Sequence, residues 1–268
     1  MRYRFRCEYL GSAFYGWQEQ NCGGKLRFVT VQSTLEEALS IALRTPIRVT
    51  GSGRTDTGVH ARGQCVHFDF DGELDPVKVV RSVNGLTKRL IRIRDLEPCA
   101  ADFNARYDAV LRYYQYTIFT RPVALMRDFG WECGSLNLDI EAMGREAQSF
   151  LGEHDFIDFC IPRNDGKSTL CTLSEFRLER LNDWSCMFHI KGNRFLHRQV
   201  RAMVGTLFDV GRGRYPEGTV NQIFAKQFKG ERTWAPPQGL VLENVEYRDR
   251  SEERRVGKEC RSRWSPYH

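Results

Sequence analysis

Short segments in which apolar and polar residues alternate recur along the whole chain, and segments of helical period separate them. The alternation is clearest in residues 2–9, where Tyr3, Phe5 and Cys7 fall on one face and arginines fall on the other. Strict alternation is typical of a strand that buries one face. A chain built in this way has to form a sheet whose apolar face is covered by helices.

The order of these segments indicates the fold class. Apolar patterns predict strands over residues 2–9, 47–49, 64–70, 91–96, 112–119, 172–181, 184–191 and 240–247, and helices over residues 33–43, 75–86, 139–152 and 194–207. Neither half of the chain follows the regular strand–helix–strand order of a parallel sheet. We therefore predict an α+β fold with two domains, residues 1–104 and 105–249, and mostly antiparallel strand pairs.

Capping residues set the expected helix ends. Ser33 and Glu36 have the spacing of a capping box, which predicts that the first helix begins at Ser33. Asp75 is the expected N-cap of the second helix because a proline follows it. Asp139 is the expected N-cap of the third helix, and Gly152 its end.

The fourth predicted helix carries a row of three arginines. Arg194, Arg198 and Arg201 recur at helical spacing, and no acidic residue lies between Arg194 and Phe208. Such a row is usually a solvated face. Without an acidic neighbour to neutralise it, this row is instead a candidate for binding phosphate or a carboxylate elsewhere in the chain.

Residues 52–61, SGRTDTGVHA, lie between two apolar alternating runs and are predicted to form a loop that joins two strands. Glycines at 51, 53 and 58 permit backbone conformations that other residues avoid. The loop holds one carboxylate, Asp56, two residues from Arg54. Two interpretations are open: Asp56 forms a local turn with its own backbone, or the loop presents an ionised carboxylate to a ligand.

Composition excludes several classes. The chain has 268 residues, 41% hydrophobic and 28% charged, as in soluble globular proteins. It has no signal-peptide pattern and no apolar run long enough to cross a bilayer. Nine scattered cysteines without a C-x-x-C pair favour reduced thiols in the cytoplasm over disulfides or zinc. A metal-dependent hydrolase built on Asp56, His60 and His67 is disfavoured because no second carboxylate lies close in sequence.

Residues 250–268, RSEERRVGKECRSRWSPYH, differ in character from the rest of the chain. They lack an apolar period and resemble a translated sequencing adapter, so we expect a non-native, disordered tail. The whole chain has a net charge of +6, and this tail holds six basic and three acidic residues. Residues 1–249 therefore carry 34 basic and 31 acidic residues, a small basic excess that is consistent with an anionic partner.

Several motifs together resemble the bacterial tRNA pseudouridine synthase A family over nearly all of residues 3–247. The most specific is GRTDTGVHA at 53–61, which in that family carries the catalytic aspartate. Supporting matches are Phe14-x-Gly16-Trp17-Gln18, Phe103-x-Ala105-Arg106, Arg112-x-Tyr114-x-Tyr116, Phe195-Leu196-His197-x-x-Val200-Arg201 and Gly239-Leu240.

The resemblance implies two ferredoxin-like domains that share one mixed sheet with a central basic cleft. It implies a homodimer that acts on the anticodon stem-loop of tRNA, isomerises uridines 38, 39 and 40, and needs neither metal nor cofactor. By the same resemblance Asp56 is the catalytic carboxylate and Arg201 pairs with it. Tyr114 packs against the base and helps to remove the C5 proton, Leu240 covers the other side of the base, and Arg54 holds the flipped-out nucleotide. Arg194 and Arg198 complete the expected substrate-binding set.

The chain departs from the family pattern at three places. It has Leu10 where the family often has aspartate, it lacks the usual Leu-Pro after the second helix, and residues 22–29 resemble a short insertion. None of these places touches the proposed catalytic residues. One competing interpretation is an RNA-binding protein without catalysis, which would use the same basic faces and loop aromatics.

Overall fold

A computed structural model describes residues 1–18, 21–22, 25–26, 28–134, 137–162 and 166–248. The predicted tail, residues 250–268, lies outside the described residues. So does Arg163, which the sequence predicts to lie in a polar loop over residues 160–168.

Most of the described strands belong to one large sheet. The strands are β1 (Arg2–Tyr9), β2 (Asn21–Cys22), β3 (Lys25–Leu26), β4 (Val49–Gly51), β5 (His60–Asp69), β6 (Ile91–Pro98), β7 (Ala109–Phe119), β8 (Trp131–Glu132), β9 (Gly152–Asp155), β10 (Leu170–Asn182), β11 (Ser185–Gly192) and β12 (Leu240–Tyr247). Ten of them form a sheet in the order β6-β1-β5-β12-β7-β11-β10-β9, with β4 paired to β5 and β8 to β7. β2 and β3 pair separately.

Strand β12 joins the two halves of the chain, because it lies between β5 and β7. It runs parallel to β5, with Val241 opposite His60, and antiparallel to β7, with Leu242 opposite Tyr114. Most other pairs are antiparallel. The predicted α+β class with a mixed, mostly antiparallel sheet is confirmed.

Five α-helices lie within the described ranges: α1 (Val31–Leu43), α2 (Pro76–Leu86), α3 (Ile140–Ala147), α4 (Gln199–Gly211) and α5 (Thr219–Phe224). Among the described residues, no helix has the length and apolar content needed to cross a bilayer. The alternation in β1 buries Tyr3, Phe5 and Cys7 as predicted. These side chains belong to one apolar core that continues through residues of both halves.

Helix α1 begins two residues before the predicted start. Thr30, not Ser33, is the N-cap, and the capping box forms between Thr30 and Ser33. Glu36 is buried instead of serving the cap. Its carboxylate accepts from the backbone N–H of Val49 at 3.0 Å and from Arg48 at 2.6 Å. Glu36 therefore fastens α1 to strand β4.

The region around Gly152 also differs from the prediction. Asp139 caps α3 as expected, but the helix ends at Ala147 and a 3-10 turn follows. Gly152 has φ +93 and begins strand β9. The sequence pattern did not predict β9 or the six-residue α5, since segments this short display no clear period.

The prediction that three arginines form a row along α4 is wrong. Helix α4 begins at Gln199, and Arg198 before it has a left-handed backbone with φ 61. Residues 193–198 instead make non-helical backbone contacts: Asn193 N–H donates to Thr172 O at 3.0 Å, and Ile161 N–H donates to His197 O at 3.0 Å. These tertiary hydrogen bonds override the helical spacing, so Arg194 and Arg198 lie ahead of the helix that carries Arg201.

Helix α4 packs against residues 233–235 at very short range. A Cβ added to Gly205 would lie 1.8 Å from the Thr233 carbonyl oxygen, so only glycine permits this approach. Gly85 in helix α2 has no neighbouring atom within 4 Å of an added Cβ. Lack of space therefore requires glycine at position 205 but not at position 85.

We expect Gly205→Ala to lower the free energy of unfolding by about 1–3 kcal/mol, because the new methyl group overlaps backbone that cannot move freely. Gly85→Ala is the matched control and should raise it by about 0.5–1 kcal/mol through helix propensity. Urea unfolding of both variants checks this prediction. Equal effects of the two substitutions would contradict it.

Candidate active site

The loop that holds Asp56 joins β4 to β5, as predicted, and its neighbours fix its shape. Thr55 is the main anchor: its hydroxyl lies 2.8 Å from Tyr9 Oη, and its carbonyl accepts from Trp17 N–H at 3.1 Å. The Asp56 carbonyl accepts from Val59 N–H at 3.1 Å and closes a turn. The buried anchor at Thr55 therefore determines where the next residue, Asp56, can point.

The three glycines of this region serve different purposes. Gly58 has φ +83, the left-handed conformation that glycine favours. Gly51 lies under the Trp17 ring, where a Cβ would approach to 2.5 Å, and Gly53 has open space around it. Backbone freedom is therefore required at only one of the three positions.

The Asp56 carboxylate binds a side chain 145 residues further along the chain. Its Oδ2 lies 3.2 Å from Arg201 Nη1. Arg201 is itself held, because its Nε donates to Ala235 O at 2.7 Å and its carbonyl accepts from Ala235 N–H at 3.0 Å. This long-range partnership favours the ligand-presenting interpretation of the loop over a purely local turn.

A buried carboxylate secures residues 233–235, the segment that holds Arg201 and has neither helix nor strand structure. Asp209, on α4, accepts from the backbone N–H of Thr233 at 2.9 Å and from its hydroxyl at 2.8 Å. Arg212 balances this charge with a 2.6 Å contact to Asp209 Oδ1. Asp209 fixes Thr233, so the carbonyl of Ala235 two residues later is fixed for Arg201 as well.

His197 is a second neighbour of Asp56 that the sequence reasoning missed. Its Nε2 lies 3.6 Å from Asp56 Oδ1, and its side chain is 43% exposed. The sequence did contain one indication of a role for His197, namely its position inside the family motif that begins at Phe195. Asp56 thus has one firmly held cationic partner and one half-exposed imidazole.

Tyr114 lies buried beside this pair. The Phe195 ring meets it edge-on with centroids 5.1 Å apart. Burial raises the pKa of Tyr114 to about 12, with Arg112 acting against the shift and Asp56 adding to it. The phenol is therefore protonated throughout the neutral pH range.

Arg112 is a further residue whose contacts the sequence did not predict. Its guanidinium donates to the carbonyls of Arg106 at 2.9 Å, Ala109 at 3.0 Å and Asn193 at 2.5 Å. Burial lowers the pKa of Arg112 from its usual value. Since these carbonyls belong to separate segments, Arg112 ties the walls of the site together.

These side chains line one cleft of about 940 Å³. All seven predicted site residues line it: Arg54, Asp56, Tyr114, Arg194, Arg198, Arg201 and Leu240. Among the described lining residues, seven are arginine or lysine, whereas Asp56 is the one acid. The balance of charge favours an anionic ligand.

The histidines of the metal-site alternative have other partners. His60 Nδ1 accepts from Gly11 N–H and His67 Nδ1 accepts from Ala105 N–H, both at 3.1 Å. Burial lowers the pKa of both imidazoles. Within the described ranges, no three His, Cys, Asp or Glu residues form a group that could hold a metal. Asp56 and these histidines do not form a common site.

An aspartate held by an arginine, beside a buried tyrosine and among many cations, is the arrangement expected of an enzyme whose substrate carries phosphate. The chain belongs to the tRNA pseudouridine synthase family, whose model matches residues 7–108 and 147–248. The two matched segments contain the Asp56 loop and Arg201. The predicted family is thereby confirmed, and with it the isomerase class.

Curated relatives agree with this assignment and carry the name tRNA pseudouridine synthase A. The chain is 35% identical over 253 residues to the protein of Exiguobacterium sibiricum, covering 91% of this chain and 96% of that protein. It is 38% identical to the protein of Neorickettsia sennetsu over 92% of this chain and 100% of that protein. It is also 38% identical to the protein of Maridesulfovibrio salexigens, over 89% of this chain and 88% of that protein.

Because the pKa of Tyr114 is raised in the folded protein, the free energy of unfolding should change with pH in the alkaline range. Above pH 10 the unfolded chain releases this phenolic proton, but the folded protein retains it until about pH 12, so stability falls as pH rises. Tyr114→Phe has no phenolic proton to release. Between pH 9 and 11, its free energy of unfolding should therefore fall by about 1 kcal/mol less than that of the parent protein. Urea unfolding at several pH values checks this, with the difference at pH 7 as baseline. A difference that stays constant with pH would contradict it.

Proposed function

We propose that this chain converts uridine to pseudouridine at positions 38, 39 and 40 in the anticodon stem-loop of tRNA, with Asp56 as the catalytic carboxylate. The observation that carries the proposal is the Asp56–Arg201 pair at 3.2 Å inside the arginine-rich cleft. Family membership supports tRNA as the substrate. The three positions follow from the resemblance to the synthase A family.

The reaction needs few chemical groups. The N1–C1′ bond of uridine breaks, the base turns, and a C5–C1′ bond forms in its place. The proton on C5 leaves and N1 gains one, so the product is an isomer and nothing is oxidised or reduced. One carboxylate can provide the required help at C1′, either as a nucleophile or by stabilising positive charge on the sugar.

Arg201 is proposed to stabilise and position the charged carboxylate, because a guanidinium at hydrogen-bond distance forms a charge-assisted bond with it. The bond from Arg201 Nε to Ala235 O fixes the guanidinium before any substrate arrives. A preorganised cation of this kind needs no rearrangement during the reaction.

Tyr114 and Leu240 are proposed to enclose the uracil ring. Both side chains are buried and line the cleft beside Asp56. The raised pKa of Tyr114 supports a packing role, because a protonated phenol is a poor base.

Arg54, Arg194 and Arg198 are proposed to bind the RNA backbone and the displaced nucleotide. A uridine inside a stem has to leave the base stack before Asp56 can reach it, and cations near the cleft mouth can hold its phosphates. All three side chains line the cleft. Arg194 and Arg198 approach it from the segment before α4, which spreads them over the wall instead of along one helix face.

The larger organisation is proposed from the same resemblance. Residues 1–104 and 105–249 would form two ferredoxin-like domains with a basic cleft between them, and two copies of the chain would act together as a homodimer. The mixed sheet joined by β12 supports the shared-sheet arrangement. A tRNA substrate supports a cytoplasmic location.

An RNA-binding protein without catalysis is the weaker alternative. Binding alone requires no carboxylate among the arginines, since a negative charge there repels phosphate. The Asp56–Arg201 pair and the adjacent Tyr114 are explained by chemistry on a base and have no purpose in passive binding.

Asp56→Asn keeps the shape of the side chain but removes its charge. We expect it to lower pseudouridine formation by at least about a thousand-fold, as loss of a principal catalytic group does. Mapping pseudouridine in tRNA after incubation with each protein measures this. Asp71→Asn, which changes an exposed carboxylate outside the cleft-lining set, is the control and should convert uridine normally. Conversion by Asp56→Asn at the parent rate would refute the proposal.

Arg201→Lys tests the bridging role of the guanidinium. A single ammonium cannot reproduce bonds to Ala235 O and Asp56 from two separate nitrogens. We expect single-turnover conversion to fall by about 10- to 100-fold, a typical loss for a displaced charge-assisted bond, while tRNA affinity changes little. A loss confined to affinity would show that Arg201 serves binding instead.

A further inference from the structure

The turn at residues 104–108 is locked by its own hydrogen bonds. Asn104 Oδ1 accepts from the backbone N–H of Arg106 at 2.9 Å and of Tyr107 at 3.2 Å. Asp108 Oδ2 accepts from Asn104 N–H at 2.9 Å, and Asp108 N–H returns a bond to Asn104 O at 3.0 Å. Side-chain bonds of this type hold a turn without help from a helix or strand.

The rest of the protein clamps the same turn from three sides. Ala105 is fully buried, its N–H donates to His67 Nδ1 at 3.1 Å, and its carbonyl accepts from Tyr247 Oη at 2.7 Å. The Arg106 carbonyl accepts from Arg112 at 2.9 Å. The backbone of this turn is therefore as firmly placed as the sheet beside it.

This rigid turn presents an aromatic ring to solvent. Tyr107 is 80% exposed although it lines the Asp56 cleft. The Arg106 guanidinium carbon lies 5.9 Å from the centre of the Tyr107 ring, at the outer limit of a cation–π contact. A ring that buries so little of its surface contributes little to the core. The backbone that carries it is nevertheless fixed by the hydrogen bonds described above.

Tyr107 stands between two cavities of different charge. It lines the Asp56 cleft and also a second cavity of about 1590 Å³. The charged residues lining the second cavity are Arg4, Arg6, Arg248, Asp95, Glu97, Asp102 and Asp108. Acidic residues there outnumber basic residues by four to three, whereas the Asp56 cleft is lined by seven basic residues and one acid, so the Asp56 cleft is the more favourable side of Tyr107 for phosphates. The uncharged Tyr107 ring can stack on an uncharged aromatic group.

We propose that Tyr107 stacks on the base of a nucleotide next to the target uridine, while Arg106 binds that nucleotide's phosphate on the cleft side. The inference rests on the proposed function, because it requires RNA in the cleft. Bases of every kind stack on aromatic rings, so the contact adds affinity without restricting sequence. A stacking platform outside the catalytic pocket would hold the stem-loop while the target base is displaced.

Equilibrium binding separates this subsite from the chemistry. Fluorescence anisotropy with a labelled anticodon stem-loop RNA measures Kd for the parent protein, Tyr107→Leu and Tyr107→Phe. Tyr107→Leu keeps apolar bulk but removes the ring, and should raise Kd by roughly 5- to 150-fold. Tyr107→Phe keeps the ring and should bind within about twofold of the parent protein. Thermal unfolding should be nearly unchanged in both variants, since the side chain is exposed.

Each outcome bears on one of the two proposals. Parent-like binding by Tyr107→Leu, or equal loss in Tyr107→Phe, would overturn stacking even if pseudouridine still forms. Failure of the parent protein to form pseudouridine would overturn the catalytic proposal but leave the binding comparison readable. For Arg106→Gln, the slope of log Kd against log salt should fall by about one if a phosphate contact is lost, and an unchanged slope would remove Arg106 from the subsite.

Discussion

The Asp56–Arg201 contact is the constraint on which the site depends, since it joins a loop of the first half to a helix of the second. Arg201 can meet Asp56 only while Ala235 holds its Nε. Ala235 in turn is placed by the close approach of its segment to Gly205 and by the bonds from Thr233 to Asp209. A single ion pair is therefore supported by a chain of backbone contacts that reaches the centre of α4.

Asp56 and Tyr114 lie in different surroundings within the pocket. Asp56 keeps a partly exposed carboxylate beside a cation, whereas Tyr114 is enclosed and its pKa rises to about 12. The pocket thus offers one charged oxygen and one neutral aromatic wall to a neutral base. The arginines that line the cleft give it the positive charge that the proposed binding of RNA phosphates requires.

Sequence patterns predicted the parts of this molecule that local chemistry decides. Residues 240–247 form β12 as predicted, and Asp75 caps α2 as predicted, because alternation and capping are local signals. The arginine row failed, since hydrogen bonds from Asn193 to Thr172 override helical spacing. Family motifs located Asp56 and Arg201. His197 and the clamp formed by Arg112 depend on contacts between distant segments, and no single-sequence pattern reports such contacts.

The central place of β12 has a consequence for how the protein is made. Synthesis reaches Leu240 after both neighbouring strands have emerged, so the parts of β5 and β7 that pair with β12 stay unpaired until then. Pairings between distant segments form slowly, and exposed edges invite association with other chains. The wall that contains Leu240 and Tyr114 is completed only when this last strand enters. Under the proposed function, catalytic competence is therefore a late event in the folding of each new chain.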